Sequence, residues 1–249
     1  MNRELSQLYP KVWRLVADNP SLMTGPGTNT YLIGQERRLI IDPGPADPIH
    51  QNELVGLITA HAATVEAVIV THHHADHSGG AESLAQRLQV PLLSFGHPLQ
   101  PEVELEIEGV KVVVKHTPGH IQAHLCLWLP ESRLLIAGDL VAGQGTILII
   151  PPDGDMTAYL QSLAAMKALN PAAILPGHGP VIKEAPALLQ AYIEHRLQRE
   201  QQVLTYLEQG YTTARQIAEK IYADRPEALG IATMQVEAHL EKLSKEGRV

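Results

Sequence analysis

Short apolar runs rich in Val, Ile and Leu recur along the chain as far as Pro180, and between them the apolar positions fall at helical spacing. That alternation predicts helices packed on sheets. The runs predict strands over 30–33, 38–41, 67–70, 92–94, 110–114, 125–129, 134–137 and 172–175. Helices are expected over 48–60, 81–89 and 157–168, the last opening with Asp155 or Thr157 as its N-cap. The Gly- and Pro-rich segment "GQGTILIIPPDGDM" reads as a loop.

The pattern changes after Pro180. Pro186 suits the first turn of a helix that can run to Gln209, with Gly210 as its stop. Two short amphipathic helices follow, apolar at Ile217, Ala218 and Ile221 and then at Val236, Leu240 and Leu243. They fit a small helix-turn-helix or winged-helix module or, on pattern alone, a plain helical cap. The expected division is a first domain over 1–182, then a linking helix and C-terminal module over 183–249.

Composition narrows the class. A hydrophobic share of 45% in 249 residues is enough for a large buried core. No basic leader precedes an apolar segment, and no apolar run reaches the roughly 18 to 20 residues of a membrane span, so a cytoplasmic protein without a membrane partner is expected. The lone Cys126 lies in the alternating run "HLCLWL" and reads as a buried thiol. The net charge of −8 lies upstream, because from His195 onward eight Lys/Arg balance eight Asp/Glu. Such a surface does not draw a phosphate backbone by bulk electrostatics.

Against this background "THHHADHSGG" (71–80) stands out, with four histidines and one aspartate within seven positions directly after the strand-like "AVIV". The cluster falls on a strand-to-helix turn, and imidazole and carboxylate are ligands for Zn, Fe or Mn. Three later apolar runs each end in a residue of the same kind beside glycine: "KVVVKHTPGH" at His120, "RLLIAGD" at Asp139 and "AAILPGHG" at His178. A fourth, "RLIIDPG", ends at Asp42.

The order "THHHADH" (HxHxDH), "TPGH", "GD" and "GHG" resembles the metallo-beta-lactamase superfamily over Asp42 to His178. The resemblance implies an α/β fold, an αββα sandwich with its site along one edge between the sheets. It also implies two divalent metal ions, zinc first and Fe or Mn as alternatives. His72, His74 and His120 would hold the first metal and Asp76, His77 and His178 the second, with Asp139 bridging. His73 occupies the variable position of the motif and turns away. "GPGTNTYLIG", "GQGT", "PGHGPVI" and "YIEHRLQREQQVL" look like the lactamase-beta-like 2 group, hydrolases with a small winged-helix-type domain after the sandwich. The chain ends at "EGRV", where a wing hairpin would begin, so the wing is expected to be rudimentary.

The implied reaction is hydrolysis of an ester-like, thioester, lactone or phosphodiester bond by a hydroxide shared between the metals. Asp76 and Asp139 are the carboxylates of that step, and Asp76 can also take a proton. Asp42 reads as a support that accepts a hydrogen bond from a ligand histidine or from the metal loop, or as a plain turn residue. His124 either orients a ligand or substrate or is a satisfied core histidine. His195 and Arg196 lie on the linking helix, where Arg196 and Glu200 can form an i,i+4 pair. That face is either a solvated or interdomain helix face or closes over the pocket to hold an anionic substrate. His50, His61, His97, His116 and His239 receive no role.

A small-molecule substrate is the leading expectation, with single-stranded RNA cleavage as the alternative. An iron-dependent sulfur dioxygenase and a DNA-binding regulator are readings from other classes. A dimer is compatible with the sequence, which does not specify an oligomeric state.

Overall fold

The structure is a computed structural model and describes residues 4–249. The first sheet runs in spatial order β1 (Ser6–Tyr9), β2 (Val12–Val16), β3 (Asn29–Ile33), β4 (Arg37–Ile41), β5 (Thr64–Ile69), β6 (Leu92–Phe95) and β7 (Pro98–Leu99). The second contains β8 (Glu104–Ile107), β9 (Val110–His116), β10 (Leu125–Leu129), β11 (Leu134–Gly138) and β12 (Ala173–Pro176), with β8 and β12 at its edges. β4, β5 and β6 are parallel, and their crossovers carry α1 (Pro48–Ala60) and α3 (Ala81–Leu88). β11 and β12 are also parallel, joined through α4 (Met156–Ala168).

Alternation along each strand builds the layers. In β10, Leu125, Leu127 and Leu129 enter the core between the sheets, whereas Cys126 and Trp128 point to a second core under α4. In β3, Tyr31 and Ile33 face inward and Leu32 joins a third core with Leu54 of α1 and Leu84 of α3. The result is the expected αββα sandwich. The chain turns back on itself in a final helical unit of α5 (Ala185–Glu208), α6 (Ala214–Ile221) and α7 (Leu229–Lys245). Thr213 and Gln216 form a capping box at the start of α6.

α5 belongs to two cores. Ala185, Leu189 and Tyr192 pack with α4 against the second sheet, while Val203 packs on Ile217, Val236 and Leu243. Among the described residues no strand follows Pro176. No helix among them is long and apolar enough to cross a membrane.

Strands β1, β2, β7 and β8 and the single turn α2 (Ala75–Ser78) have no counterpart among the elements expected from the sequence. Their sequences explain this: "VWRLV" carries Arg14, and "ELEI" alternates acidic and apolar residues on an edge strand with one exposed face. Asp155, not Thr157, caps α4, accepting from the amide of Ala158 at 2.8 Å.

Candidate metal centre

The loops after β4, β5, β9, β11 and β12 meet at one edge of the sandwich, bringing Asp42, the 72–77 cluster, His120, Asp139 and His178 together. Parallel pairing of β4 with β5 and of β11 with β12 puts their C-terminal ends side by side. Two glycines make the approach possible. A Cβ on Gly138, where φ is +46°, would lie 2.6 Å from Thr71 Oγ1, and one on Gly177 would lie 2.6 Å from Asp139 Oδ1.

Three overlapping groups of donors result; one of them, Asp42, His72 and His77, is joined through the Thr71 hydroxyl and the hydrogen bond of His77 to Asp42, which leaves two. His72, His74, His120 and Asp139 form one, and Asp76, His77 and His178 the other. In the first, His74 Nδ1 lies 3.0 Å from both His72 Nε2 and His120 Nε2. In the second, His77 Nε2 and His178 Nε2 are 3.1 Å apart. Asp139 stands between them. Its Oδ2 faces His72 and His120 at 3.9 and 3.7 Å, and its Oδ1 faces His77 and His178 at 3.4 and 3.5 Å.

The outer nitrogens of these rings are held by the protein. His77 Nδ1 donates to Asp42 Oδ2 at 2.9 Å, and His120 Nδ1 donates to the carbonyl of Leu148 at 2.8 Å. His72 Nδ1 lies 3.0 Å from Thr71 Oγ1, which itself donates to Asp42 Oδ2. Asp42 Oδ1 accepts the Thr71 amide at 2.7 Å, so one carboxylate anchors both the loop and a ring. Fixing the outer nitrogen as a donor leaves the inner one with a free lone pair, the arrangement found around ligated histidines. Converging lone pairs and carboxylates suit a divalent cation in each group.

The electrostatics agree. Burial pushes His72 well below its ordinary value and lowers His74, which keeps both rings neutral as ligands require. Burial alone would raise Asp139, but His77 and His178 outweigh it and hold the carboxyl well below the usual range. The same balance lowers Asp76, whose hydrogen bond with His178 overrides burial. Burial would lower His77 and His178; neighbouring carboxylates reverse this, pushing His77 well up and His178 to about 9. The second group thus draws positive charge inward.

His124 is fully buried and structural in its contacts. Its Nδ1 meets Thr117 Oγ1 at 2.8 Å and its Nε2 accepts the Asp139 amide at 3.1 Å, fixing the backbone of the shared carboxylate. His73 is exposed, with Nε2 3.7 Å from Asp153. His195 is exposed and does not line the groove beside the centre.

Arg196 requires a correction. It forms no pair with Glu200, and its face is the interdomain one of the two, not the solvated one. Only 3% exposed, it donates to Gln235 Oε1, Thr146 Oγ1 and the carbonyl of Ile147, which turns it inward between α7 and the 144–149 loop. Glu200 pairs instead with Lys242 and Arg248.

Several contributors escaped the sequence reading. Thr28 donates to Asp76 Oδ2 at 3.3 Å, and the Asn29 amide donates to the carbonyls of Pro176 and Gly179, tying β3 to the His178 turn. Their signal was the polar "TNT" opening an otherwise apolar strand. The Leu148 carbonyl left no signal, since any residue supplies one.

A groove of about 560 Å³ opens over the centre, lined by His120, Asp139 and His178. Its other walls include Leu22 and Met23 from the β2–β3 loop, the 144–148 segment, and Ile231 from α7. Among the described residues no Lys or Arg lines it.

The sandwich, with histidines and aspartates gathered at its edge, defines a candidate metal-site protein of the hydrolase-type αββα architecture. Residues 23–99 and 92–178 match the Metallo-beta-lactamase superfamily and residues 213–249 the Beta-lactamase associated winged helix domain. The chain belongs to the metallo-beta-lactamase superfamily. It is 35% identical to a Beta-lactamase-like protein 2 homolog of Drosophila melanogaster, over 98% of this chain and 91% of that one. It is 30% identical to an Atrochrysone carboxyl ACP thioesterase of Aspergillus chevalieri, over 90% and 77%. The fold is shared with a beta-lactamase domain protein from Burkholderia ambifaria, with a TM-score of 0.86 at 19% identity over 98% and 88%.

Proposed function

We propose that the protein is a two-metal hydrolase of acyl esters or thioesters whose acyl part is apolar and uncharged. The observation that carries this reading is the groove itself, apolar at Leu22, Met23 and Ile231 and, among the described residues, without a Lys or Arg in its walls. A polyanion such as RNA is bound chiefly through Lys and Arg on its phosphates. An acyl chain needs apolar walls and a few polar groups at the reacting end. The thioesterase named among the relatives supports the same class.

His72, His74, His120 and Asp139 would hold one divalent ion and Asp76, His77, His178 and Asp139 the other, zinc being the first choice for such donors. Bound ions of this kind supply a water whose pKa falls towards about 7 and polarise a carbonyl oxygen. The chain's own residues do the rest. Asp42, Thr71 and Leu148 fix the rings, and His124 fixes Asp139. Asp76, partly exposed and steadied by Thr28, is the carboxylate placed to receive and return a proton. Leu22, Met23 and Ile231 exclude bulk water from the acyl part.

The test uses protein reconstituted with zinc, manganese or iron. It is offered a medium-chain acyl thioester, an aryl ester, an activated phosphodiester and single-stranded RNA, with oxygen uptake followed on a persulfide. Metal-dependent release of thiol, far faster than RNA cleavage, is the expected result. RNA cleavage without thioester turnover, or oxygen uptake by an iron form, would overturn the proposal.

A further inference from the structure

Away from the metal centre, three side chains that carry unpaired buried nitrogens line one small cavity between α5 and α7. Arg196 Nε, Arg199 Nε and both ring nitrogens of His239 make no hydrogen bond. All three side chains line a cavity with about 10 Å³ for the centre of a water-sized sphere, room for one water or one monatomic ion. Among the described residues no carboxylate lines it, and its remaining polar walls are Gln235 and Tyr222.

The charge balance is unusual as well. Arg196 is 3% exposed and His239 2%. Among the described residues Arg196 pairs with no carboxylate: its Nη atoms go to neutral oxygens of Gln235, Thr146 and Ile147, and its guanidinium lies 5.5 Å from the Tyr159 ring centroid. Glu200, the nearest acid on the same helix face, is taken by Lys242 at 2.6 Å and by Arg248. A buried cation without a counter-charge is costly, and buried charges are normally paired. Gln235 Oε1 already receives Arg196 Nη1 and the Ile149 amide.

We propose that this cavity is a halide site, binding chloride through Arg196 Nε–H, Arg199 Nε–H and one ring N–H of His239. An anion accepts from all three donors and supplies the missing charge, whereas a water would have to find acceptors for two hydrogens. Sulfate, phosphate and carboxylates exceed the space. Arg199, only half-buried, is the wall that can move to admit the ion. The other side of the Arg196 guanidinium holds Thr146 and Ile147, walls of the catalytic groove, so the ion would stiffen that loop through one shared side chain. The site stands independently of the hydrolase reading.

The full-length, metal-reconstituted protein is melted in sodium gluconate, chloride, bromide and sulfate at one ionic strength. Chloride and bromide should raise the Tm by a few degrees over gluconate, saturably, and sulfate should not. Arg199→Gln should abolish the difference, whereas Arg215→Gln, on the exposed face of α6, should keep it. Bromide-soaked crystals should show an anomalous peak between Arg196 and His239, and amides 146–149 should exchange more slowly in chloride. Equal Tm values in all four salts, a chloride response that survives Arg199→Gln, or a water alone at the position would overturn the proposal.

Discussion

Asp42 Oδ2 accepts a hydrogen bond from His77 Nδ1 at 2.9 Å, which fixes the direction in which His77 presents its other nitrogen. The same carboxylate binds the amide and hydroxyl of Thr71. Asp42→Asn removes the charge behind the ring and can turn a donor towards it. Metal affinity at the second group should fall on the order of 10- to 100-fold, as for other outer partners of ligand histidines. Zinc competition with a chromophoric chelator reads this directly, and circular dichroism should show the fold unchanged.

Neighbouring histidines should respond in opposite ways. His73 is exposed and has its Nε2 3.7 Å from Asp153, outside the donor groups, whereas His74 Nδ1 sits 3.0 Å from two other imidazole nitrogens. His73→Ala should retain its metal by elemental analysis, and His74→Ala should lose at least one equivalent relative to the parent.

The groove walls should sort substrates by acyl length. Leu22 is fully exposed in this structure and Ile231 is 41% exposed, although both line the groove, so each has apolar surface available to a bound chain. Replacing either by Ser should raise KM for a long acyl thioester about tenfold, the effect of losing roughly 1 to 2 kcal/mol of apolar contact. Turnover of an acetyl thioester should be unaffected. Equal losses on both substrates would place these residues outside acyl recognition.

Acid should weaken the helical unit through His239. Burial, reinforced by Arg196 and Lys242, lowers this ring to about 3 from its ordinary 6.5, so the unfolded chain takes up the proton first. Stability is complete above about 6.5, falls as the pH drops below it, and levels off near 3. Between pH 7 and 5 the loss is about 2 kcal/mol. Because a halide beside the ring would favour the proton, urea unfolding in gluconate is the measurement. His239→Leu should show a smaller fall over the same interval than the parent.

Much of this centre is legible in the sequence because its residues end apolar runs. Strand ends gather at sheet edges, so His120, Asp139 and His178 announce themselves by position as well as by type. The strands with mixed polarity, β1, β2 and β8, are hidden because exposed faces and edges admit Arg14, Glu104 and Glu106 without cost. The surroundings of Arg196 stay open in the sequence, and its pairing with Glu200 is contradicted, because a helix sequence does not reveal which face another segment covers. Its partners, Gln235, the Thr146 hydroxyl and the Ile147 carbonyl, lie about forty to fifty positions away. His239 carries no sequence pattern at all, and only the packing of α7 on α5 gives it company.

The double membership of α5 bears on how the molecule comes apart. Its first turns are built into the core beneath the second sheet and its last turns into the core of the terminal helices, with no break between Ala185 and Glu208. A rigid rod set in two foundations ties their fates together. Heating should therefore give one cooperative transition instead of two, and the terminal helices should stand or fall with the groove they wall.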